Sequence, residues 1–444
     1  MTDRGGGLLH GDWSGTWPVA RGGEGVYLYD RDGRRFLDAV GGAHVVTIGH
    51  GVGEIADAMA AQARKLAYAS SRTWVNDPQM ELAELIRSRT PEGLGWVYFT
   101  SSGSEAAEMA MQLARQYHLE RKEPERHKVI GRWHSYHGGT LGAVGMGGHA
   151  VHRERLAPYL PPVRHVVAPQ CAHCAFGLSR PSCATRCATD LADTIERAGP
   201  ETVAAFIAEP IGGTTSGAVE PPPGYYETVR SICDAYGILF IADEVVTGFG
   251  RTGKDFAIQH WDAAPDMILC SKGLTSGYAP LGAVVVHERV ADAIRAGTGN
   301  VSLRMTYSGH PVSCAAGLAV QRHIADHGLV ERCASAGERL KERLTAMGEA
   351  SAFVSEVRGR GLLLAVELAA EPDRGVAFPR AERVQERVVA EAFRRGMLLM
   401  GGSGTADSPD GDHLLVSPPF VLTEAEGELL VELLEQSITA ALAG

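Results

Sequence analysis

Acidic and basic side chains follow two apolar segments near the middle of the chain, where they could act on one ligand. Asp243 and Glu244 end the apolar segment 238–242, and Lys272 follows the segment 267–270. Open α/β sheets bind ligands outside the carboxyl ends of their strands. A lysine there, partly removed from water, has a lowered pKa and becomes nucleophilic. Taken alone, each residue is more typical of a cap, a salt bridge or a surface lysine.

Two further stretches supply polar and aromatic groups. In TSSGSEA (100–106), Ser102, Gly103 and Ser104 lie where a strand leads into a helix, and free N–H groups at a helix N-terminus bind anions. A plain N-cap is the alternative. WHSYHGG (133–139) offers an aromatic ring that could lie over a planar ligand, or a simple aromatic loop. A phosphate cradle, an aromatic ring, an aspartate and a lysine together are what pyridoxal phosphate (PLP) requires.

The chain resembles the class III aminotransferases, of the subgroup acting on ω-amino acids and amines, over nearly its whole length. The match is closest in IADEVVTGFGRTG (241–253) and SKGLTSGYAPLG (271–282). The resemblance implies PLP fold type I. It also implies that Lys272 carries the cofactor as a Schiff base and that Asp243 pairs with the pyridine nitrogen.

The resemblance assigns further residues to the cofactor. Thr306 matches the family threonine that reaches the phosphate bound in the partner subunit, which implies an obligate homodimer with shared active sites. Glu209 matches an acidic residue beside the cofactor. The resemblance also implies that Ser102, Gly103 and Ser104 hold the phosphate. Val245 would pack on one face of the cofactor ring and Tyr136 on the other, with His137 beside Tyr136.

The expected reaction is ping-pong transfer of an amino group from an amine or ω-amino acid to a keto acid. An amine displaces Lys272 from the cofactor, and the freed lysine moves a proton between substrate and cofactor carbons. A carbonyl product leaves, and a keto acid takes the amino group by the reverse path. The sequence does not identify the donor or the acceptor.

The chain departs from the family pattern near the substrate. Many relatives carry an arginine before the final Pro-Pro strand that binds the acceptor carboxylate, but residues 400–413 contain none. We hypothesise that Arg304 of the partner subunit or Arg72 supplies the missing cation; a surface role is the alternative for each. His44 stands where some relatives have a pocket tryptophan, so it either lines the substrate site or is a hydrogen-bonded loop histidine.

Two other functions compete with aminotransfer. A PLP-dependent amino-acid racemase or epimerase needs no second substrate, which would explain the missing arginine. A zinc-stabilised, non-catalytic scaffold would use the cysteine cluster, whose pairs have zinc-ligand spacing. Retention of the lysine, the aspartate and the phosphate cradle argues against the scaffold. A reduced surface loop is the simpler interpretation of the cluster, whose members are Cys171, Cys174, Cys183 and Cys187.

The elements that position these residues alternate between apolar strands and amphipathic helices. This alternation predicts an α/β fold with a mostly parallel central sheet and helices on both faces. An N-terminal hairpin over 24–40, with strands at 24–30 and 35–40, and a C-terminal α+β region form a second, small domain. We predict domain segments at 1–62, 63–320 and 321–444. Predicted strands lie at 96–100, 128–132, 203–208, 238–242, 267–270, 283–286, 362–367 and 414–417; predicted helices lie at 104–120, 224–236, 311–348, 380–396 and from 424, with a loop at 401–412.

The length, net charge and hydropathy of the chain limit the kinds of partner it can bind. A length of 444 residues suits two domains. The net charge of -11 argues against nucleic acid or an anionic membrane as a partner. No segment is long and apolar enough to span a bilayer, and residues 1–7 lack the apolar core of a secretory signal. We therefore expect a cytoplasmic enzyme.

Overall fold

The computed structural model describes residues 17–406 and 408–442. Within them the strands are β1 (Ala20–Glu24), β2 (Tyr27–Asp30), β3 (Arg35–Asp38), β4 (Leu94–Thr100), β5 (Lys128–Arg132), β6 (Arg164–Val166), β7 (Val203–Ala208), β8 (Leu239–Asp243), β9 (Met267–Cys270), β10 (Gly282–His287), β11 (Val354–Arg360), β12 (Leu363–Glu371), β13 (Val376–Ala377), β14 (Met397–Leu398), β15 (Met400–Ser403) and β16 (Asp412–Val416).

The helices pack around these strands. They are α1 (Gly41–His44), α2 (Gly53–Lys65), α3 (Asp77–Arg89), α4 (Gly103–Glu120), α5 (Leu141–Met146), α6 (Ala150–Leu156), α7 (Arg186–Ala198), α8 (Tyr225–Tyr236), α9 (Glu288–Ala296), α10 (Pro311–Asp326), α11 (Leu329–Ala350), α12 (Val384–Arg394) and α13 (Glu424–Leu442). The short turn α1 has positive φ at Gly42 and Ala43, so it is left-handed.

The central sheet has seven strands in the order β4-β10-β9-β8-β7-β5-β6. Strand β10 runs antiparallel to both of its neighbours, and all the other pairs are parallel. Side chains of a strand alternate between faces. Phe240 therefore packs with α3, α7, α8 and α10, while Leu239 and Ile241 pack with α4, α5 and α9. The predicted α/β sheet with helices on both faces is confirmed.

The N- and C-terminal parts of the chain meet in the smaller sheets. Strand β14 pairs in parallel with β3 and completes the order β1-β2-β3-β14. A separate sheet has the order β11-β12-β16-β15, and helices α11, α12 and α13 share its apolar core. The C-terminal region thus packs beside the N-terminal hairpin, as predicted. The predicted domain limits fall within α2 and α10 and stay a prediction.

Three local predictions are wrong. Residues 24–30 are not one strand, because the chain turns at Gly25 with φ of 56° between β1 and β2. The helical region 311–348 is two helices, since Gly328 adopts φ of 57° between α10 and α11. The segment 401–412 is not all loop. Its first residues extend β15, where pairing with β16 overrides the low strand propensity of glycine.

No helix of residues 17–406 and 408–442 is long and apolar enough to cross a membrane. The prediction drawn from residues 1–7 lies outside the described residues.

Candidate active site

The predicted chemistry-bearing residues converge where neighbouring parallel strands end. Asp243 is the last residue of β8, Glu209 follows β7, and Lys272 lies two residues beyond β9. Since β7, β8 and β9 are adjacent, these side chains reach one cavity of about 480 Å³. This volume lies in the range of small-ligand sites. Nine residues predicted from the sequence line the cavity: Ser102, Gly103, Ser104, Tyr136, His137, Glu209, Asp243, Val245 and Lys272.

Asp243 is buried and held by two donors. The His137 ring nitrogen Nδ1 lies 2.7 Å from Asp243 Oδ2, and the Val245 amide donates to Oδ1 at 3.0 Å. Buried polar groups need such partners because they have lost water. The other ring nitrogen of His137, Nε2, is buried without a hydrogen-bond partner. The pair therefore fixes a carboxylate at the base of the cavity.

The neighbouring Glu244 is directed elsewhere. Its carboxylate accepts the backbone N–H groups of Ala257 and Ile258 at 2.9 and 2.7 Å, and the hydroxyl of Thr247 donates to it. Burial raises its pKa to about 7. Glu244 thus fastens a loop, and only the aspartate of the acidic pair lines the cavity.

Lys272 begins a short 3₁₀ turn in a strained backbone conformation, with φ of 32°. Burial lowers the pKa of its amine from 10.5 to about 8, although the carboxylates of Asp243 and Glu209 favour the charged form. Desolvation outweighs these attractions here. The unprotonated form of this amine is therefore easier to reach than in an ordinary lysine, as proton transfer requires.

Glu209 closes the same side of the cavity. One carboxylate oxygen accepts from the Gly213 amide at 3.0 Å and the other accepts from the Tyr136 amide at 3.3 Å. Burial raises its pKa, and the charge of Asp243 adds to this effect while His137 opposes it. Glu209 thereby ties the aromatic loop to the end of β7.

The N-terminus of α4 forms another side. The Ser102 hydroxyl caps the helix by accepting from the Glu105 amide at 3.2 Å, so the predicted N-cap is present. At Gly103 an added Cβ would lie 2.9 Å from a Val245 methyl, so only glycine allows this close approach. Ser104 Oγ accepts from the Gly139 amide at 3.0 Å. The helix end faces the cavity and combines backbone N–H groups with hydroxyls.

Three of the predicted residues lie away from the cavity of this chain. Thr306, Arg304 and Arg72 are exposed, and none of them lines the cavity. The Thr306 carbonyl accepts from the Tyr68 hydroxyl at 3.1 Å, and Arg304 donates to Asn300 at 2.5 Å.

His44 is buried beside the cavity without lining it. Its Nδ1 lies 2.6 Å from Ser417 Oγ and its Nε2 lies 3.1 Å from Thr214 Oγ1. Burial, followed by the charge of Lys272, lowers its pKa well below the usual value. Of the two predicted roles, the geometry is that of a hydrogen-bonded loop histidine, while Ala43 lines the cavity in its place.

The sequence reading missed two histidines that line the cavity. His149 and His152 stack with their ring centroids 4.3 Å apart, and His152 also lies 5.8 Å from the Tyr136 ring. Their spacing of three residues at the start of α6 was the available signal, because such residues share one helix face. Thr214, Thr215 and Met400 complete the same wall without an evident sequence signal.

Comparison with known proteins shows the family of this chain. The family model described as Aminotransferase class-III matches residues 14–438. The uncharacterized aminotransferase YodT of Bacillus subtilis (strain 168) is 36% identical over 434 residues, covering 98% of this chain and 97% of that protein. The putrescine–pyruvate aminotransferase of Pseudomonas aeruginosa is 36% identical and covers 95% of this chain and 91% of that protein.

The fold of this chain also superposes closely on solved aminotransferase structures. A PMP-bound aminotransferase from Vibrio fluvialis superposes with a TM-score of 0.91 at 30% identity, covering 99% of this chain and 97% of that one. A transaminase from the marine bacterium Virgibacillus gives a TM-score of 0.89 at 35% identity, covering 96% and 93%.

Proposed function

Because the chain belongs to the class III aminotransferase family, we propose that it moves an amino group from an amine or ω-amino acid to a keto acid through the cavity that contains Lys272. The fold is PLP fold type I, and the enzyme is a PLP-dependent aminotransferase. The observation that carries the residue assignment is the convergence of a buried amine, a buried carboxylate and a helix N-terminus on one cavity.

These three groups fit PLP. The N-terminus of α4 suits its phosphate, Asp243 suits its ring nitrogen, and Lys272 suits its aldehyde. When bound, PLP supplies an aldehyde that combines with amines and a ring that accepts electrons from the substrate carbon. We assign the phosphate to Ser102, Gly103 and Ser104, and the ring faces to Val245 and to Tyr136 with His137 beside it.

Asp243 is placed to hold a proton on the ring nitrogen of bound PLP. His137 and the Val245 amide hold its two oxygens in place, so it does not need to reorganise during the reaction. Glu209 positions the backbone of Tyr136 against the same site. These residues therefore orient the cofactor and tune its charge.

Lys272 moves protons. With a pKa of about 8, its amine accepts a proton from the substrate carbon and returns it without a large energetic penalty. Its position beyond β9 is fixed by the Ser271 hydroxyl, which donates to the Leu281 carbonyl at 2.8 Å. The same lysine serves both half-reactions of the ping-pong cycle.

We also propose a homodimer in which Thr306 of the partner subunit reaches the phosphate. Thr306 lies beside an aromatic cluster formed by Tyr68, Tyr307 and His310, whose ring centroids are 6.0 to 6.3 Å apart. Tyr68 is 43% exposed and Tyr307 is 58% exposed. Exposed aromatic surface of this kind is typical of a protein interface.

The proposed donor and acceptor classes rest on the name of a relative. The related putrescine–pyruvate enzyme uses an amine and a keto acid by its name, which favours the same substrate classes here. We propose Arg304 of the partner subunit or Arg72 as the cation for the acceptor carboxylate, since residues 400–413 contain no arginine. All eight cysteines are free, which favours the cytoplasm as the compartment.

A spectroscopic titration tests the proposal. The PLP-loaded enzyme is mixed with a panel of amines, ω-amino acids and α-amino acids, and then with pyruvate or 2-oxoglutarate. One donor should remove the visible band and a keto acid should restore it. A band that persists while the α-proton of an amino acid exchanges with solvent would instead establish racemase or epimerase chemistry.

A further inference from the structure

Four cysteines that the proposed reaction does not use line a second cavity, of about 180 Å³. Two residues separate Cys171 from Cys174, eight separate Cys174 from Cys183, and three separate Cys183 from Cys187. All four are free, and each is at least partly exposed. The other four cysteines are buried and lie in helices or strands. Sequence spacing alone does not bring the two pairs together; the fold does.

Three of the cysteines belong to a long connection without helix or strand, residues 167–185, which leads from β6 into α7, and Cys187 lies in the first turn of α7. Connections of this length in a compact protein are uncommon without a function or a cross-link. Its links to the rest of the chain include the Val167 amide to Asp190 at 3.1 Å, the Ala406 amide to Gln170 at 2.9 Å and the His173 ring to Glu367 at 2.5 Å. A group that joins both cysteine pairs would close the connection on itself.

We propose that Cys171, Cys174, Cys183 and Cys187 bind one Zn²⁺ ion that fixes this connection. Zinc takes four thiolates in a tetrahedral arrangement, and paired cysteines separated by two to four residues are its usual ligands. Soft sulfur ligands disfavour Mg²⁺ and Ca²⁺. His173, between the first two cysteines, contacts Glu367 instead, since its Nε2 lies 2.5 Å from a carboxylate oxygen of that residue.

The four sulfurs share one environment but are not yet arranged around an ion. All four cysteines line the same cavity, three of them from the connection and Cys187 from the start of α7. Over residues 17–406 and 408–442, no three His, Cys, Asp or Glu side chains are already placed to hold a metal. Binding therefore requires the cysteine side chains to rotate, with release of their protons to solvent.

The site would also steady a wall of the active-site cavity. Gln170, next to the first cysteine, holds Ala406 in the segment between β15 and β16, where the family arginine is absent. Strand β15 begins at Met400, which lines the active-site cavity. This consequence rests on the proposed function. The zinc site itself does not.

Metal analysis of the full-length chain, purified without chelators or a metal-affinity tag, tests the site. We expect about one zinc per subunit. Cys174→Ser and Cys183→Ser, one from each pair, should lose at least nine-tenths of it. Cys314→Ala, in the buried face of α10, is the matched control and should retain it. Bound PLP, read from its visible band, reports whether each variant is folded.

Cobalt exchange gives a second readout. Co²⁺ added to chelated, reduced protein should produce sulfur-to-cobalt charge-transfer absorption in the wild type and in Cys314→Ala, but not in Cys174→Ser. Three results would overturn the proposal: zinc far below one per subunit that added zinc does not restore, full zinc in both serine variants, or fewer than eight titratable thiols in unreduced, denatured protein. If zinc is lost without any change in KM for the keto acid, the steadying of the wall is wrong and the zinc site stands.

Discussion

The base and the rim of the active-site cavity are built differently. The base consists of Asp243, His137 and Lys272, which lie at strand ends or on short connections and are held by buried contacts. The rim consists of Tyr136, which is 44% exposed, and the exposed His152 on the short helix α6. The base comes from one chain, whereas among residues 17–406 and 408–442 no arginine lines the cavity.

This difference follows from desolvation. A buried charge is costly unless it has hydrogen-bond partners. The residues of the base must therefore be held by a fixed set of partners. Groups at the rim stay solvated and can come from loops or from another subunit. The base therefore sets the chemistry, and the rim sets which substrates reach it.

The largest effect should come from the base. Lys272→Ala should lower kcat by about 1,000-fold or more, since it removes the group that moves protons. Steady-state rates with the best donor and keto acid measure this. Lys254→Ala is the control, because that exposed lysine only donates to the Gln259 carbonyl. A Lys272→Ala variant with a tenth of normal activity would remove the lysine from the mechanism.

Asp243→Asn should lower kcat by about 100- to 1,000-fold, because a neutral amide no longer holds the proton on the ring nitrogen. PLP should remain bound through the phosphate, as its visible spectrum can show. Asp262→Asn, at an exposed position, should behave as the wild type. If Asp262→Asn lowered kcat as much as Asp243→Asn, the loss would come from the change in the net charge of the protein and not from the contact of Asp243 with the cofactor.

Thr306→Val should weaken PLP binding by about 10-fold, the value of one hydrogen bond to a charged group. Titration of the apoenzyme with PLP measures this, and sedimentation should show that the variant is still a dimer. Ser302→Ala, four residues earlier and also exposed, is the control. Unchanged affinity in an intact dimer contradicts the shared site.

At the rim, Arg304→Ala or Arg72→Ala should raise KM for the keto acid about 5-fold, since a solvated ion pair contributes up to about 1 kcal/mol. The KM for an uncharged amine donor should not change. Arg374→Ala, exposed and paired with Glu371, is the control. If neither variant alters any carboxylate KM, the missing cation is supplied elsewhere.

The smallest effect concerns stability of the apoenzyme. The pKa of Lys272 is about 8 in the folded chain, and in the unfolded chain it takes the usual value of 10.5. Between pH 8 and pH 10.5 the unfolded chain therefore binds more protons than the folded one. Its contribution to stability therefore rises with pH from about 8 to 10.5. Urea unfolding at several pH values should show a shallower rise for Lys272→Met. Identical profiles would place the pKa near 10.5.

The sequence predicted the base better than its surroundings. The predicted strands at 128–132, 203–208 and 267–270 have the limits seen in the structure. Short, continuous apolar runs between helical patterns are typical of buried strands, so their ends are easy to place. The helix break at Gly328 and the strand β15 were missed, since backbone conformation and distant pairing determined them. His149 was missed because its spacing of three residues from His152 does not by itself show that the pair lines the cavity.

The sequence by itself predicted the sheet, because hydrophobic period is a local property. The resemblance of residues 241–253 and 271–282 indicated the family and, with it, the amine and the carboxylate at the strand ends. Tertiary structure decided which group each residue meets. It turned Glu244 toward a loop, buried His44 between Ser417 and Thr214, and brought the two cysteine pairs to one cavity. Such pairings join residues far apart in the chain, and only the packing of strands and helices brings them into contact.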